Sequence, residues 1–198
     1  MTDDNNPFNP GFYNSEELGQ MGFKAIGDNV MIAKNCTIIG LHNISIGNNV
    51  RIDGNTVISA FHNEFVVGDY IHIGAFCFFN CADKIILEDY SGCSQGVRFY
   101  AGSDDYSGDF MTNPTVPKEF TNVKTGPITV GQHTIIGSGA VILPNVHIGT
   151  GCAIGAQSMV TKNLDEWGVY VGCPVRRIKE RSKKLLNHQK ELEKQTNV

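Results

Sequence analysis

Large apolar positions in residues 128–162, ITVGQHTIIGSGAVILPNVHIGTGCAIGAQSMVTK, recur with a fixed period. They stand at Val130, Ile136, Ile142, Ile148, Ile154 and Val160, a step of six each time. Gly131, Gly137, Gly149 and Gly155 follow four of them, and a small or β-branched residue comes four places after each: Thr134, Ala140, Val146, Cys152, Ser158. A helix repeats every 3.6 residues and an alternating strand every two, so neither predicts this period. A fixed short repeat predicts a solenoid, in which each unit buries its apolar side against the next. Three hexapeptides make one triangular coil, with the aliphatic pointing inward from each side.

The same register runs upstream. Inward positions fall at Ile26, Ile32, Ile38; Ile46, Ile52, Ile58; Val67, Ile73, Phe79; and Leu87, Cys93, Phe99. Within a triplet the step is six; between triplets it is eight, nine and eight. The extra residues, 41–43, 61–63 and 81–83, therefore stack at one corner, and such inserts often build a binding face. The fourth coil reaches that corner at 101–127, a stretch rich in Gly, Pro, Asn and Asp. A loop of this length is usually functional or disordered, and Phe110, Met111, Val116, Pro117 and Phe120 give it apolar anchors that argue for order.

Both ends need caps. Residues 1–11 look loosely attached, whereas 12–22 read as a short helix, with Asn14 as N-cap, Glu17 in the first turn and Gly19 or Gly22 to end it. It would close the first coil. At the other end, 168–179 read as an extended piece turning at Gly172–Pro174, and 176–196 as a helix with a thin stripe of Ile178, Leu185, Leu186 and Leu192 and a Glu180–Lys184 pair. The expected organisation is one domain over 1–198, with coils at 24–100 and 128–162.

Charge and cysteine usage narrow the chemistry. The net charge is −4, but residues 176–198 carry eight Lys/Arg and three Glu, a balance of +5 that leaves −9 elsewhere. The chain as a whole is not built for nucleic acid, while a basic tail suits a phosphate-rich cofactor. The N-terminus has neither a basic region nor an apolar one, and no apolar run approaches a membrane span, so a cytoplasmic location is expected. Cys36, Cys77 and Cys152 occupy small inner positions and Cys93 an aliphatic one, which reads as core packing. Cys77 and Cys81 lack the paired motif of a zinc site.

The back third, with its IIGSGAVILPNVHIG core, the Ala156–Lys162 turn and Gly172-x-Pro174-x-Arg176, resembles the hexapeptide acyltransferases. That resemblance implies an all-β, left-handed parallel β-helix and a trimer with acetyl-CoA between subunits. FYNSEEL, GFKAIGDNV, ISIGNNVRID, DYIHI, SDDYSG, NPTVP, FTNVKTG and VRRIKERSKKLL extend the likeness over nearly the whole chain. They resemble N-acetyltransferases acting on dTDP-4-amino-4,6-dideoxy sugars, enzymes of O-antigen, capsule and surface-glycan synthesis. The implied partners are acetyl-CoA, with no metal, and a small nucleotide sugar.

One departure informs the mechanism. Galactoside-type O-acetyltransferases carry a catalytic histidine in the loop at the inserted corner; here the segment is Ala101-Gly102-Ser103-Asp104-Asp105. A hydroxyl needs a base before it attacks, whereas a neutral amine attacks a thioester unaided. By resemblance Asp104 lies beside the acceptor amine and Ser94 near the reacting centre, with Asp105 as a second orienting group. A DD pair in a turn also caps backbone, and serine is common at β-helix turns. His62 stands at the inserted corner with His42 and is a candidate base. His72, Tyr106 and Asn113 are candidate substrate contacts. Gly137, Ser138, Gly155, Ala156 and Gln157 are candidates for backing the cofactor, although glycine after the aliphatic is also a demand of the repeat. Lys162, Arg176 and Arg177 would neutralise its phosphates. His133 and His147 occupy outward positions expected to be exposed, and Trp167 would pack on the last coil or near the adenine. Two other readings stay open: a sugar O-acetyltransferase with His62 or Asp105 as base, and a non-catalytic hexapeptide scaffold. The carbonic anhydrases of this fold need three metal-binding histidines, and no such set is apparent.

Overall fold

The computed structural model describes residues 6–196. Residues 1–5, part of the segment expected to be loosely attached, lie outside the described residues. Three sheets wrap one core as the expected parallel β-helix. The first face holds Ala25–Ile26, Ile44–Ile46, Phe65–Val67, Ile85–Leu87, Ile128–Val130 and Val146–Ile148. The second holds Val30–Ala33, Val50–Ile52, His72–Ile73, Gly92–Cys93, Ile135–Ile136, Ala153–Ile154 and Gly168–Val171. The third holds Thr37–Ile39, Val57–Ser59, Phe78–Asn80, Arg98–Tyr100, Val141–Ile142 and Met159–Val160. Each coil visits the faces in that order. The inserts and the 101–127 loop all lie where the third face hands over to the first.

The inward positions read from the repeat are buried from Ile46 to Val160, and in the first coil Ile32 is buried while Ile26 and Ile38 are half-buried at the open end. Each buried aliphatic contributes about 2 kcal/mol of hydrophobic stabilisation. In the middle coils aromatic rings replace aliphatics: Phe65 packs tilted against Phe79 and Phe79 stacks on Phe99, with ring centroids 4.7 and 4.9 Å apart. The glycine after the aliphatic is a packing demand. A Cβ on Gly137 would stand 2.5 Å from the backbone nitrogen of Ala156 in the next coil.

Cys77, Cys93 and Cys152 are buried in the core as expected, Cys81 is buried with them, Cys36 is half-buried and Cys173 is exposed. The thiols of Cys36, Cys77 and Cys152 donate to the carbonyls of Asp53, Ser94 and Asp165, at 3.3, 3.2 and 3.1 Å. Burial pushes the Cys77 thiol up to about 11 and Cys81 to about 12, so neither is a nucleophile near neutral pH.

Both terminal caps depart from expectation. Phe12–Tyr13 is a strand, antiparallel to Ile32–Ala33, and helix α1 is only Ser15–Gly19. Asn14 does cap it, in a capping box with Glu17, and Leu18 plugs the first coil. At the far end Arg176–Glu180 is not helical. It pairs antiparallel with Gly168–Val171, satisfying a sheet edge that a helix there would leave open. Glu180 consequently meets Arg177 at 2.7 Å rather than Lys184. Helix α2 begins only at Leu185 and runs to Thr196. Arg181 fastens this tail: one guanidinium nitrogen donates to the carbonyls of His133, Gly151 and Cys152.

Replacing Phe79 by Ala should lower stability by about 3–5 kcal/mol in denaturant unfolding. Phe76→Ala, three residues away on a side chain 62% exposed, should change it by less than about 1 kcal/mol.

Candidate active site

Where the second face turns into the third, the residue after each inward aliphatic forms a column: Asp53, Gly74, Ser94, Gly137, Gly155. The ladder fixes it. Their N–H groups donate to the carbonyls of Ile73, Cys93, Ile136, Ile154 and Tyr170, at 2.8–2.9 Å. Neighbours in the column are thus one coil apart, about 4.8 Å. Ser94 lies in the middle, half-buried. Its N–H is tied to the coil above and its carbonyl to the Cys77 thiol below, and its hydroxyl has no partner among the described residues.

The two directions away from Ser94 differ. Toward the N-terminal coils the column becomes charged. Asp53 accepts from Arg51 Nε at 2.7 Å and lies 2.7 Å from His72 Nε2 through its other oxygen. Desolvation pushes against the Asp53 carboxylate, but the bonds from His72 and Arg51 outweigh it and hold the carboxyl below its ordinary range. These three border a cleft of about 540 Å³ with Met31 and Tyr70.

Toward the C-terminal coils the shoulder is bare. Gly137, Ser138 and Gly155 are half-buried, and Ala156 and Gln157 are exposed. The Ser138 hydroxyl lies 3.3 Å from the Gln95 amide oxygen. Lys162, Arg176 and Arg177 border a second cleft of about 360 Å³ with Asp165 and Tyr170. Arg177 is partly committed to Glu180 and to the Glu166 carbonyl, so Lys162 and Arg176 are the freer cations. Trp167 is buried on the last coil, with the Lys183 ammonium 5.2 Å from its ring.

The loop residues lie elsewhere. Gly102–Ser103 pairs with Lys124–Thr125 and closes the loop's neck, and Asp104 follows at once, exposed, its carboxylate without a partner among the described residues. Asp105 is taken up by the loop: one oxygen accepts from the N–H and hydroxyl of Ser107 and the N–H of Gly108. The Ser107 hydroxyl leads the bonds that hold its carboxyl low. Asn113 does the same for Thr115, and Tyr106 is 92% exposed. His62 is exposed, edge-on to Phe61, and His42 is exposed on its turn at the same corner. Phe110, Met111 and Phe120, expected as anchors, instead present much of their surface to solvent.

One chain does not bring Asp104 to Ser94. The strand Arg98–Tyr100 and its two turns separate them, on the order of 10 Å or more at about 3.3 Å per residue. His133, expected to be exposed, is buried instead, stacked on Tyr90 and bonded to Gln189 of α2. Sequence reasoning also missed Arg51 and Asp53. The signal was available: Arg51 and His72 each precede an inward isoleucine, and the register places them side by side. Among the described residues no group of His, Cys, Asp and Glu could hold a metal ion, and no helix is long and apolar enough to cross a membrane.

Residues 127–162 match the family described as bacterial transferase hexapeptide (six repeats), and 25–60 match the hexapeptide repeat of succinyl-transferase. The chain is 44% identical over 170 residues to a dTDP-4-amino-4,6-dideoxy-D-glucose acyltransferase of Escherichia coli, covering 86% of this chain and 88% of that one. It is 29% identical, over half its length, to a chloramphenicol acetyltransferase of Agrobacterium fabrum. Among solved structures it superposes, with a TM-score of 0.90 and 42% identity, on AntD, an N-acyltransferase from Bacillus cereus in complex with dTDP and 3-hydroxybutyryl-CoA; 95% of this chain and 99% of AntD are covered. Further AntD structures hold dTDP-4-amino-4,6-dideoxyglucose and coenzyme A, with a serine replaced by cysteine or alanine. In others an aspartate ten residues after that serine is replaced by alanine or asparagine.

The Asp53 bonds carry a pH signature. A carboxyl held low in the fold and ordinary when unfolded stabilises the protein above about pH 4, and that contribution fades as pH falls through the folded value. Asp53→Asn should therefore remove part of the acid-side loss of stability, seen as a flatter profile of melting temperature between about pH 4 and pH 2.

Proposed function

The chain belongs to the hexapeptide-repeat acyltransferases, in the family of the dTDP-4-amino-4,6-dideoxyglucose acyltransferase, and on that premise we propose that it moves acetyl from acetyl-CoA to the amine of a nucleotide-linked 4-amino-4,6-dideoxyhexose. The observation that carries the site is the spacing of Ser94 and Asp104. They stand ten residues apart, as do the serine and aspartate altered in the AntD structures.

Each residue has a physical task. The neutral amine attacks the thioester carbonyl, forming the new C–N bond and an oxyanion. The unpartnered Ser94 hydroxyl donates to that oxyanion. The Asp104 carboxylate accepts from the amine, orients it and draws off the proton that attack releases. Collapse breaks the C–S bond, and the CoA thiolate collects the proton. No histidine is required. Pantetheine would lie on the shoulder of Gly137, Ser138, Gly155, Ala156 and Gln157, where the short side chains of Ser138 and Ala156 allow close approach to backbone. Lys162, Arg176 and Arg177 would meet the phosphates. His72, one coil below Ser94, faces the acceptor sugar. Asp105 and Asn113 then hold the loop that presents Asp104 and Tyr106.

This reading needs a second copy of the chain. Ser94 and Asp104 sit at opposite edges of the third face, and Val57, Phe78, Tyr100, Val141 and Met159 are half-buried on that face. A trimer packed on it would carry the Asp104 loop of one copy to the Ser94 corner of the next. The exposed Phe110, Met111 and Phe120 supply apolar contacts for that reach. Acetyl-CoA and a nucleotide sugar as substrates fit a cytoplasmic enzyme supplying activated sugars to surface-glycan or lipopolysaccharide synthesis.

Thiol release should be rapid with dTDP-4-amino-4,6-dideoxyglucose or its galacto epimer, and slow with a 3-amino isomer or a hydroxyl sugar. Asp104→Asn should lower kcat/KM about 100-fold, Ser94→Ala by a similar factor, and His62→Ala by less than about threefold. Turnover confined to the hydroxyl sugar and abolished by His62→Ala would restore a base-catalysed O-acetyltransferase. The same assay with 3-hydroxybutyryl-CoA in place of acetyl-CoA tests the acyl group.

A further inference from the structure

The outward side chains of the third face are neutral with one exception. Its strands begin in register, so Thr37, Val57, Phe78, Arg98, Val141 and Met159 stand in one column, a coil apart. The second outward column of the same face, from Ile39 to Tyr100, carries no charge either. Arg98 thus lies between Phe78 and Val141 on a surface that is otherwise apolar or neutral. It is exposed, and its guanidinium has no partner among the described residues. In a single chain water solvates that charge. Under a second copy it would need an anion, because burying an unpaired cation is costly.

Its place in the chain says which anion is within reach. Arg98 is the first residue of the third face after the turn that carries Ser94. Val97 is buried, and Arg98 turns outward at the Ser94 edge. That is the edge to which the assembly proposed above brings a neighbour's Asp104 loop. Of the loop's two adjacent carboxylates, Asp105 is committed to Ser107 and Gly108. Asp104 is exposed and without a partner among the described residues. It also directly follows the paired neck Gly102–Ser103, whereas Asp109 and Glu119 stand farther out in the loop. Each copy therefore offers an unpaired cation at one edge of the face and an unpaired anion at the other. A heterologous ring brings those two edges together at every interface.

We propose that Arg98 of one copy bonds the Asp104 carboxylate of the next, as a positioning residue for the transfer. The guanidinium holds one carboxylate oxygen and leaves the other aimed at the acceptor amine over Ser94. The pair also neutralises both charges as water leaves the interface. The inference rests on the reading of Ser94 and Asp104 as one site shared between two copies.

Steady-state kinetics and co-expressed variants of the full chain test it. Arg98→Gln should lower kcat about 30-fold, with KM for acetyl-CoA and for the amino sugar within about threefold of wild type, and Arg98→Lys should fall between the two. Added to Asp104→Asn, Arg98→Gln should lower activity by less than about a further twofold, because the two groups act as a unit. Sedimentation should give Arg98→Gln the same mass as wild type. Arg98→Gln co-expressed with Asp104→Asn should regain about a quarter of wild-type activity, the share of interfaces that random assortment in a cyclic trimer builds from intact residues. Ser94→Ala with Asp104→Asn should do the same. Ser94→Ala with Arg98→Gln should regain nothing, since both residues stand on one copy's side of the interface. If Ser94→Ala and Asp104→Asn complement but Arg98→Gln and Asp104→Asn do not, or if the double variant's losses simply add, the placement of Arg98 is overturned and the shared site stands. A raised KM with unchanged kcat would also overturn it, moving Arg98 to a ligand phosphate. Dissociation of Arg98→Gln into single chains would do so too, making Arg98 an assembly contact. Failure of Ser94→Ala and Asp104→Asn to complement would overturn the shared-site reading itself.

Discussion

A coil of this helix has to turn three times within about twenty residues, and the turns out of the first two faces, except that at 34–36 in the first coil, each place one residue at positive φ. Asn29, Asn49, Asn55, Tyr70, Phe76, Tyr90, Gly96, His133, Gly139, Gly151 and Gln157 all take that position. For a residue with a Cβ this costs about 1–2 kcal/mol, offset by the two or three inward aliphatics that each turn brings into the core. The rest follows from that constraint. Identical turns in successive coils keep the inward positions in register, which is why a step of six survives through four coils of varying length. They also aim the outward side chains along straight lines, so that chemistry on this molecule is organised in columns. The third corner is under less constraint. Three coils insert residues there and the fourth inserts a loop of 27, without disturbing the register of Ile128–Val130 on Ile85–Leu87.

Columns explain the layout of the candidate site. A hydroxyl, a carboxylate–imidazole–guanidinium cluster and a glycine-lined shoulder come together on one line because their positions in the repeat coincide. The same geometry keeps Asp104 away from them, since it belongs to another corner of the triangle. Ser94 and Asp104 both leave their polar groups unpartnered at or near the surface, where water makes that cheap. In the trimer proposed above, a substrate and a second copy would exclude that water, and the two groups would become costly unless they bonded the ligand. On that proposal, incompleteness in the single chain and strength in the assembled site are one property.

Most of this fold was legible in the sequence because its period is carried by residues whose burial is obligatory. The inward positions, the stacked inserts, the long loop and the buried cysteines could each be read from spacing. What was not legible is informative. Phe12–Tyr13 and Arg176–Glu180 are strands because the sheet edges at Val30–Ala33 and Gly168–Val171 need partners, a demand that arises only in the folded helix. His133 read as an outward, exposed residue because its burial comes from α2 and from the Tyr90 ring, not from its own repeat. Asp105 and Asn113 could be named from the loop, but whether a carboxylate or amide faces a ligand or caps its own backbone depends on a few dihedral angles that spacing does not encode. Arg51 and Asp53 were within reach: once Ile52 and Ile73 are known to be inward, their neighbours must meet on the same face.

The basic tail shows how composition misleads when it is not traced to contacts. Eight Lys and Arg between residues 176 and 198 suggest a surface for phosphates. Arg181, however, is buried enough that desolvation lowers its pKa, and it is committed to three backbone carbonyls. Arg177 is shared between Glu180 and a carbonyl, and Lys183 lies over Trp167. These cations hold the last strand and α2 against the solenoid, and by seating α2 they cover His133. The charge left for an anionic cofactor is therefore smaller than eight cations suggest, and of the tail's cations Arg176 and Arg177 border the cleft that also holds Lys162 of the last regular turn.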